Sequence, residues 1–417
     1  MPAAPSCPAL TANQQQPTTT FLTLTADAPN LTDSDYQQLR TVLASIPDPR
    51  KPRGRRHPLT GLLTAAVAAT FAGARHVTAI ADWICDLPDT LRTTLGLPAV
   101  PHLTTVWRLL NRLDHSAMQT VLDTWLVTRL ERTRRPPAAG APPVVHRAAR
   151  RVYALDGKVV RGSGSGQDGR PVMLLAVVDQ ASGVVLSQTP IPDKSSEIAM
   201  FSRLLDQVDD LTGVLITADA LHAQTAHAEY LHARGAHFLL TIKGNRPSLR
   251  AALDALPWDE VPVGHEAVER SHGRLQERRL QAVLVSEGLG FAHAVQAIRV
   301  ERRSRRVNGK GREHREVVFA VCSLDPEQAQ PAELAGWIRS HWVIENRLHW
   351  VRDVTLGEDA SRVAVGSGPV VMAILRNLVI SVLRLAGVVN VARELRRCSR
   401  RPGDALAYLT CGNATMQ

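Results

Sequence analysis

The stretch 151-RVYALDGKVVRGSGSGQDGRPVMLLAVVDQASGVVLSQTPI-191 decides the fold class of this 417-residue chain. Its apolar, β-branched runs at 151–160, 171–180 and 183–191 have strand length, and the turn signals GSGSGQDG and QASG separate them. Three strands so connected read as a meander. Downstream the period changes: the pattern predicts a helix over 196–209, a strand over 213–218, a helix over 222–234 and a strand over 236–242. A strand-helix-strand crossover is right-handed and returns the chain beside the first strands, which places Asp156 and Asp219 on adjacent strands at one edge of the sheet.

This order, a three-stranded meander and then alternating helix and strand, is that of a ribonuclease H-like α/β domain. A third acid lies in 339-RSHWVIENRLHWVRDVTLGEDASR-362, within a helix expected over 331–354. On an α-helix Glu345, Asn346, His349, Arg352 and Asp353 return to roughly one side. Phosphodiester cleavage needs an attacking oxygen activated and a leaving oxygen stabilised, which two divalent ions about 3.5–4 Å apart do when carboxylates hold them. Oxygen-only ligands favour Mg²⁺ or Mn²⁺. Asp156, Asp219 and Glu345 are the candidate catalytic and metal-ligating residues. Lys158, Arg161, Lys243, Asn346, His349, Arg352 and Asp353 are candidate supporting or phosphate-contacting groups.

Each acid also has a blander reading. Asp156-Gly157 is a hairpin-turn dipeptide, Asp219 precedes a helix it could cap, and Glu345 fits an ordinary helix surface. Three acids at the positions such a core requires are harder to explain as independent events.

The motifs ALDGKVVRGS, PIPDKSSEIAMFSRLL, ITADALHAQ, LLTIKGNRPSL, ERSHGRLQERR and the 339–362 stretch occur in this order. The chain resembles the DDE transposases of bacterial insertion sequences, specifically the H-repeat-associated (ISAs-one) family related to the IS-four-type transposases. HWxIENxLHWxxDVxxxED is the strong motif, DGKxxRGS a moderate one and ITADA a weak one. The resemblance implies a ribonuclease H-like catalytic core interrupted by a β-rich insertion and preceded by a helical domain. Asp156, Asp219 and Glu345 match the family's DDE positions one by one. Arg352 stands where the family usually has an apolar residue, Leu356 where it has an aromatic, and Arg246 where it has Gln. The implied activity is cleavage of element ends to 3′-hydroxyls and their joining to target DNA, by at least a dimer on DNA. A decayed or domesticated DNA-binding protein without catalysis, or a metal-dependent nuclease, is the alternative.

The corresponding divisions are a disordered leader (1–30), a helical, DNA-binding transposase-associated domain (31–135) and a linker (136–150). The catalytic core takes 151–245 and 331–390, the insertion 246–330, and a basic tail 391–417. Helices near 103–114 and 116–133 suit either a helix-turn-helix reader or a structural bundle.

Charge supports a polyanionic partner: 49 Lys and Arg against 39 Asp and Glu give a net charge of +10. The loop ERRSRRVNGKGREHR holds seven basic residues among fifteen, so Arg302, Arg303, Arg305, Arg306, Lys310 and Arg312 are candidate DNA-backbone contacts. A solvated hairpin tip is the competing reading. Five scattered cysteines without a CxxC pair argue against a disulfide framework or thiolate zinc site. His341 and His349 lack the third soft ligand that zinc needs. The apolar segments at 58–74 and 369–389 read as buried helices, since Arg376 and Arg384 interrupt the second. A bacterial cytoplasmic, nucleoid-associated protein without membrane contact is expected.

Overall fold

A computed structural model describes residues 33–134, 150–164, 170–192, 197–271, 273–285, 289–307 and 312–410. The expected leader, all but one residue of the expected linker, and Lys310 lie outside the described residues.

The architecture is α/β: a helical N-terminal region on a ribonuclease H-like core whose sheet is unusually wide. The strands are β1 (Val152–Val160), β2 (Val172–Asp179), β3 (Val185–Ile191), β4 (Leu215–Ala218), β5 (His237–Ile242), β6 (His265–Ser271), β7 (Arg274–Leu284), β8 (Gln296–Arg306) and β9 (His314–Cys322). They form one sheet in the order β3-β2-β1-β4-β5-β9-β8-β7-β6. The meander β1–β3 is antiparallel, while β4 and β5 add parallel to β1, as helix-bearing crossover connections produce. Buried on both faces, β2 reads as a continuous apolar run, MLLAVV, and β4 as LITA, broken only by the hydrogen-bonded Thr217. The 246–330 segment opens with a helix the sequence reading did not anticipate, Pro247–Asp254, and then supplies β6–β9. These extend the same sheet through the β5–β9 pairing.

The N-terminal helices are α1 (Asp33–Ala44), α2 (Leu59–Phe71), α3 (Val77–Asp86), α4 (Asp89–Thr94), α5 (Leu103–Leu110) and α6 (His115–Arg134). From Gly61 onward α2 is buried on every side, which its Ala-, Leu- and Thr-rich sequence permits. The core helices that follow are α7 (Glu197–Leu205), α8 (Thr225–Ala233), α9 (the Pro247–Asp254 helix above), α10 (Pro331–Ser340) and α11 (Gly368–Leu385). By length and composition α11 could cross a membrane, yet 94% of it is buried inside the protein, against α2, α6 and β3. The segment read from sequence as a basic tail contains α12 (Val391–Arg400) and α13 (Pro402–Thr410), and α13 packs on α1 and α2. Helix α6 packs on β3 and α11. It therefore serves as a core element.

Two expectations change. Part of the basic run is strand and not loop: Arg302 to Arg306 lie on β8, where Arg302 pairs with Glu316 of β9 in register and Arg303 with Arg315. Nor is 331–354 one α-helix. After α10 the chain continues in two π-helical stretches, Ile344–His349 and Val351–Thr355.

Candidate active site

Asp156 is in the middle of β1, its Cα paired with Ala176 of β2, so the hairpin reading of Asp156-Gly157 does not hold. Its Oδ1 accepts a hydrogen bond from the Gly157 N–H at 2.9 Å. The glycine answers a packing need. A Cβ at Gly157 would lie 2.5 Å from Oε1 of the buried Glu197, at the start of α7. Because successive strand residues face opposite sides, Gly157 meets α7 while Asp156 points to the other face. Gly157→Ala is expected to destabilise the protein by about 1–3 kcal/mol through overpacking. Urea unfolding of Gly157→Ala with and without Glu197→Ala measures the coupling, and additive effects would reject the steric explanation.

The parallel register pairs Leu155 with Ala218, so Asp156 and Asp219, each one residue on, stand side by side. Asp219 also caps the short turn Ala220–His222, its Oδ1 accepting from the Leu221 N–H at 2.8 Å. The capping reading of Asp219 holds.

Glu345 arrives on the first π-helical stretch. The N–H of Trp350 donates to the Glu345 carbonyl and that of Leu356 to the Val351 carbonyl, each reaching back five residues. This wider turn keeps residues four and eight apart on one side but sends a residue seven on to the far side, where an α-helix would bring it back. The side chains follow that rule. His349 Nδ1 lies 3.0 Å from Glu345 Oε2 and 3.7 Å from Asp156 Oδ2. Asp353 holds Lys158 Nζ at 2.6 Å, and Lys158 shares the Asp156 face of β1.

Arg352 corrects the sequence reading. It is fully buried and reaches no phosphate, because its Nε and Nη2 donate to Glu358 at 3.0 and 2.8 Å. Arg376 Nη1 of α11 donates to the same carboxylate at 3.1 Å, and Arg376 Nη2 donates to the Arg75 carbonyl between α2 and α3. Burial pushes the Glu358 carboxyl up, but the two guanidiniums outweigh it and hold the group below its ordinary value. A Cβ on Gly162 would overlap the Glu358 and Ser361 carbonyls, so the RGS turn seats this segment. Sequence reasoning missed both Glu358 and Glu197. Their only signal was membership in the recurring motifs.

Among the described residues, Asp156, Glu345 and His349 form a group whose ligand atoms all lie within 4.8 Å of one another. Asp219 is outside that tight group, though its charge reaches it. Burial pushes the Asp156 carboxyl up to about 6, His349 pulls it down, and the charges of Asp219 and Glu345 push it up again. The hydrogen bond from His349 holds Glu345 below its ordinary value. Crowded, partly buried carboxylates with an adjacent imidazole are a donor set that fits a divalent cation. His341 turns to β4, with Nδ1 3.0 Å from Thr217 Oγ1, and burial pushes its pKa down to about 4, opposed by the charge of Asp219. Since Asp156 must lose its proton to ligate, Mn²⁺ affinity is expected to weaken about tenfold per pH unit below about 6. Calorimetric titration over roughly pH 5 to 8 measures this, and a flat profile removes Asp156 from the ligand set.

The remaining candidates are spread around this centre. Arg161 is exposed, 3.5 Å from Asp359, and Lys243 follows the end of β5, exposed. Asn346 is exposed beside Glu345. Of the basic run, Arg303 binds Glu301 at 2.5 Å, Arg305 and Arg302 approach Glu277 and Glu316, and Arg306 and Arg312 are exposed.

Comparison with known proteins identifies the family. The family model described as "Transposase DDE domain" matches residues 147–381, and one described as "DDE_Tnp_1-associated" matches residues 40–126. "Putative transposase YncI" of Escherichia coli O157:H7 is 28% identical over 395 residues, covering 90% of this chain and 93% of that protein. "H repeat-associated putative transposase YhhI" of E. coli strain K12 is 28% identical over 271 residues, 62% of this chain and 70% of that one. A piggyBac transposase synaptic complex with hairpin DNA superposes with TM-score 0.43 and 9% identity over 93% of this chain and 80% of that one, too distant a likeness to carry an argument. The DDE model spans more than half of the 417 residues and encloses the strand of Asp156, the turn of Asp219 and the π-helix of Glu345, so the chain belongs to the transposase DDE domain family.

Proposed function

We propose that the protein binds the terminal inverted repeats of an insertion sequence, cuts to expose 3′-hydroxyls and joins them to target DNA, acting at the nucleoid as a dimer or larger assembly on DNA. The observation that carries this reading is the convergence of Asp156 from β1 and Glu345 from the π-helix, beside Asp219, where the interior strands β1 and β4 of a ribonuclease H-like sheet run side by side. Asp156, Glu345 and Asp219 would hold Mg²⁺ or Mn²⁺, two ions in all. When bound, these ions supply activation of the attacking oxygen and stabilisation of the departing 3′ oxygen.

The chain's own groups do the rest. His349 hydrogen-bonds Glu345 and stands 3.7 Å from Asp156, orienting both carboxylates. Lys158, tethered by Asp353, places a cation beside Glu345, where it favours an incoming phosphate. The test is strand transfer with pre-cut element ends and Mg²⁺, comparing wild type with Asp156→Ala and Glu345→Ala. Joining by wild type that persists in both variants overturns the assignment of the acids. Binding without any cleavage or joining favours a silent binder, and cleavage without joining a nuclease.

A further inference from the structure

The basic run on β8 is largely answered by carboxylates, since Arg302, Arg303 and Arg305 approach Glu316, Glu301 and Glu277. Helix α12 is different. Its Arg393, Arg396 and Arg400 are exposed, and among the described residues none of the three side chains is in an ion pair or a hydrogen bond. The acids at hand are engaged elsewhere: Arg397 takes Asp404 at 2.9 Å and Glu394 at 3.7 Å, and Tyr408 donates to Glu394 at 3.0 Å. Three guanidiniums thus stand in water with no counter-ion supplied by the fold.

They also form a row. At about 3.6 residues per turn, positions 393, 396 and 400 fall within about 60° of one another, and the buried Val391, Leu395 and Cys398 occupy the opposite side. With a rise of about 1.5 Å per residue the row is about 10 Å long, close to three base-pair steps of about 3.4 Å. The buried side selects among anionic partners. A basic amphipathic helix binds a membrane by inserting its apolar face, and in α12 that face is already packed inside the protein. A nucleic-acid backbone needs only the row of charges.

We infer that α12 docks the phosphate backbone of duplex DNA through Arg393, Arg396 and Arg400, and that the duplex held there is the target of joining and not an element end. The inference rests on the DNA-joining reading above and names which of its DNA partners uses this surface. Joining requires a second duplex accepted without regard to sequence, and contacts to phosphates position DNA without reading it. The place of the helix suits that role: α12 packs on the π-helical stretch Val351–Thr355, which continues the segment of Glu345. The basic tail of the sequence then acts as a rigid row of charges, oriented by its buried side.

The experiment loads the full-length protein with unlabelled pre-cut element ends and titrates it with a labelled duplex of unrelated sequence over about 50 to 200 mM salt. A variant carrying Arg393→Gln, Arg396→Gln and Arg400→Gln together is expected to lower the slope of log affinity against log salt by about 2.7, or about 0.9 per lost phosphate contact. Over that fourfold range of salt its affinity then changes about 40-fold less than that of wild type. Binding of labelled element ends to the unloaded variant is expected to stay within about twofold of wild type, and urea unfolding to be unchanged, because the three side chains are exposed and unpaired. Lysine at all three positions is expected to restore the slope, since a point charge suffices for a phosphate. A wild-type slope in the Gln variant overturns the inference, as does failure of lysine to restore it. An equal loss on element ends and on the unrelated duplex overturns the assignment to target DNA. Capture of phosphatidylserine-phosphatidylcholine vesicles by wild type but not by the Gln variant overturns the choice of DNA. Failure of the function proposed above shows separately, as absence of binding to element ends or as joining that survives Asp156→Ala.

Discussion

Asp156→Ala is expected to reduce strand transfer by a thousandfold or more while leaving the folded state intact. The side chain accepts one hydrogen bond, from the neighbouring N–H, and although His349 favours its charge, burial together with Asp219 and Glu345 disfavours it more strongly. Removing it therefore relieves crowding, and stability is expected to change little or rise. The loss falls on chemistry, because a divalent ion held in place provides several kcal/mol of transition-state stabilisation, and about 4 kcal/mol is already on the order of a thousandfold. Asp156→Asn separates the charge from the shape: it keeps a hydrogen-bond acceptor for Gly157 and loses the carboxylate. It is expected to be nearly as inactive as the Ala variant. Quantitative joining assays on pre-cut ends, with unfolding curves of both variants, check the pair of expectations. Activity retained in Asp156→Asn would mean that the carboxylate is not needed as a charge.

Glu358→Ala is expected to lower stability by about 3–5 kcal/mol, the typical result of removing one partner of a buried ion cluster. Both arginines that bind it, Arg352 and Arg376, are essentially inaccessible to solvent, so they would remain charged and uncompensated. The cluster joins three parts of the fold: the π-helix through Arg352, α11 through Arg376, and the N-terminal helices through the Arg75 carbonyl. Loss of activity is expected to accompany the loss of stability, since the Glu345 helix is fixed from behind by these bonds. The acid side of the stability profile carries the same signature. The folded-state pKa of Glu358 lies below its ordinary 4.5, so its contribution is fully present above that value and is lost as pH falls through the folded-state pKa. Urea unfolding of wild type and Glu358→Ala at neutral and acidic pH tests both statements. Curves that differ by less than about 1 kcal/mol at neutral pH would show that the cluster contributes little.

The elements set by local pattern were legible in the sequence. Strands β1 to β5 and helices α7 and α8 follow from apolar runs of strand length, turn signals and helical period, and the direction of β4, parallel to β3 and β1, follows from the strand-helix-strand connection. Asp156 and Asp219 are adjacent because each is one residue beyond a register pair of neighbouring strands. The basic run was harder. Its charges suggested a loop, but β8 sets Arg302 opposite Glu316 of β9 and Arg303 opposite Glu277 of β7, pairings visible only once the register is known.

The segment around Glu345 divides the two kinds of information most clearly. The sequence by itself offered an acid on a helix, flanked by Trp and His, as a candidate third member of a set with Asp156 and Asp219, because residue identity and order do not depend on how the helix winds. Tertiary structure alone decided which neighbours join it. A π turn keeps His349 and Asp353 on the side of Glu345 and rotates Arg352 away into the core, where Glu358 and Arg376 receive it. Local sequence favours an α-helix over this stretch, and the wider winding departs from that local preference. The physical reason lies in long-range packing: a buried guanidinium requires a buried carboxylate, and only the folded chain brings residues 352, 358 and 376 together.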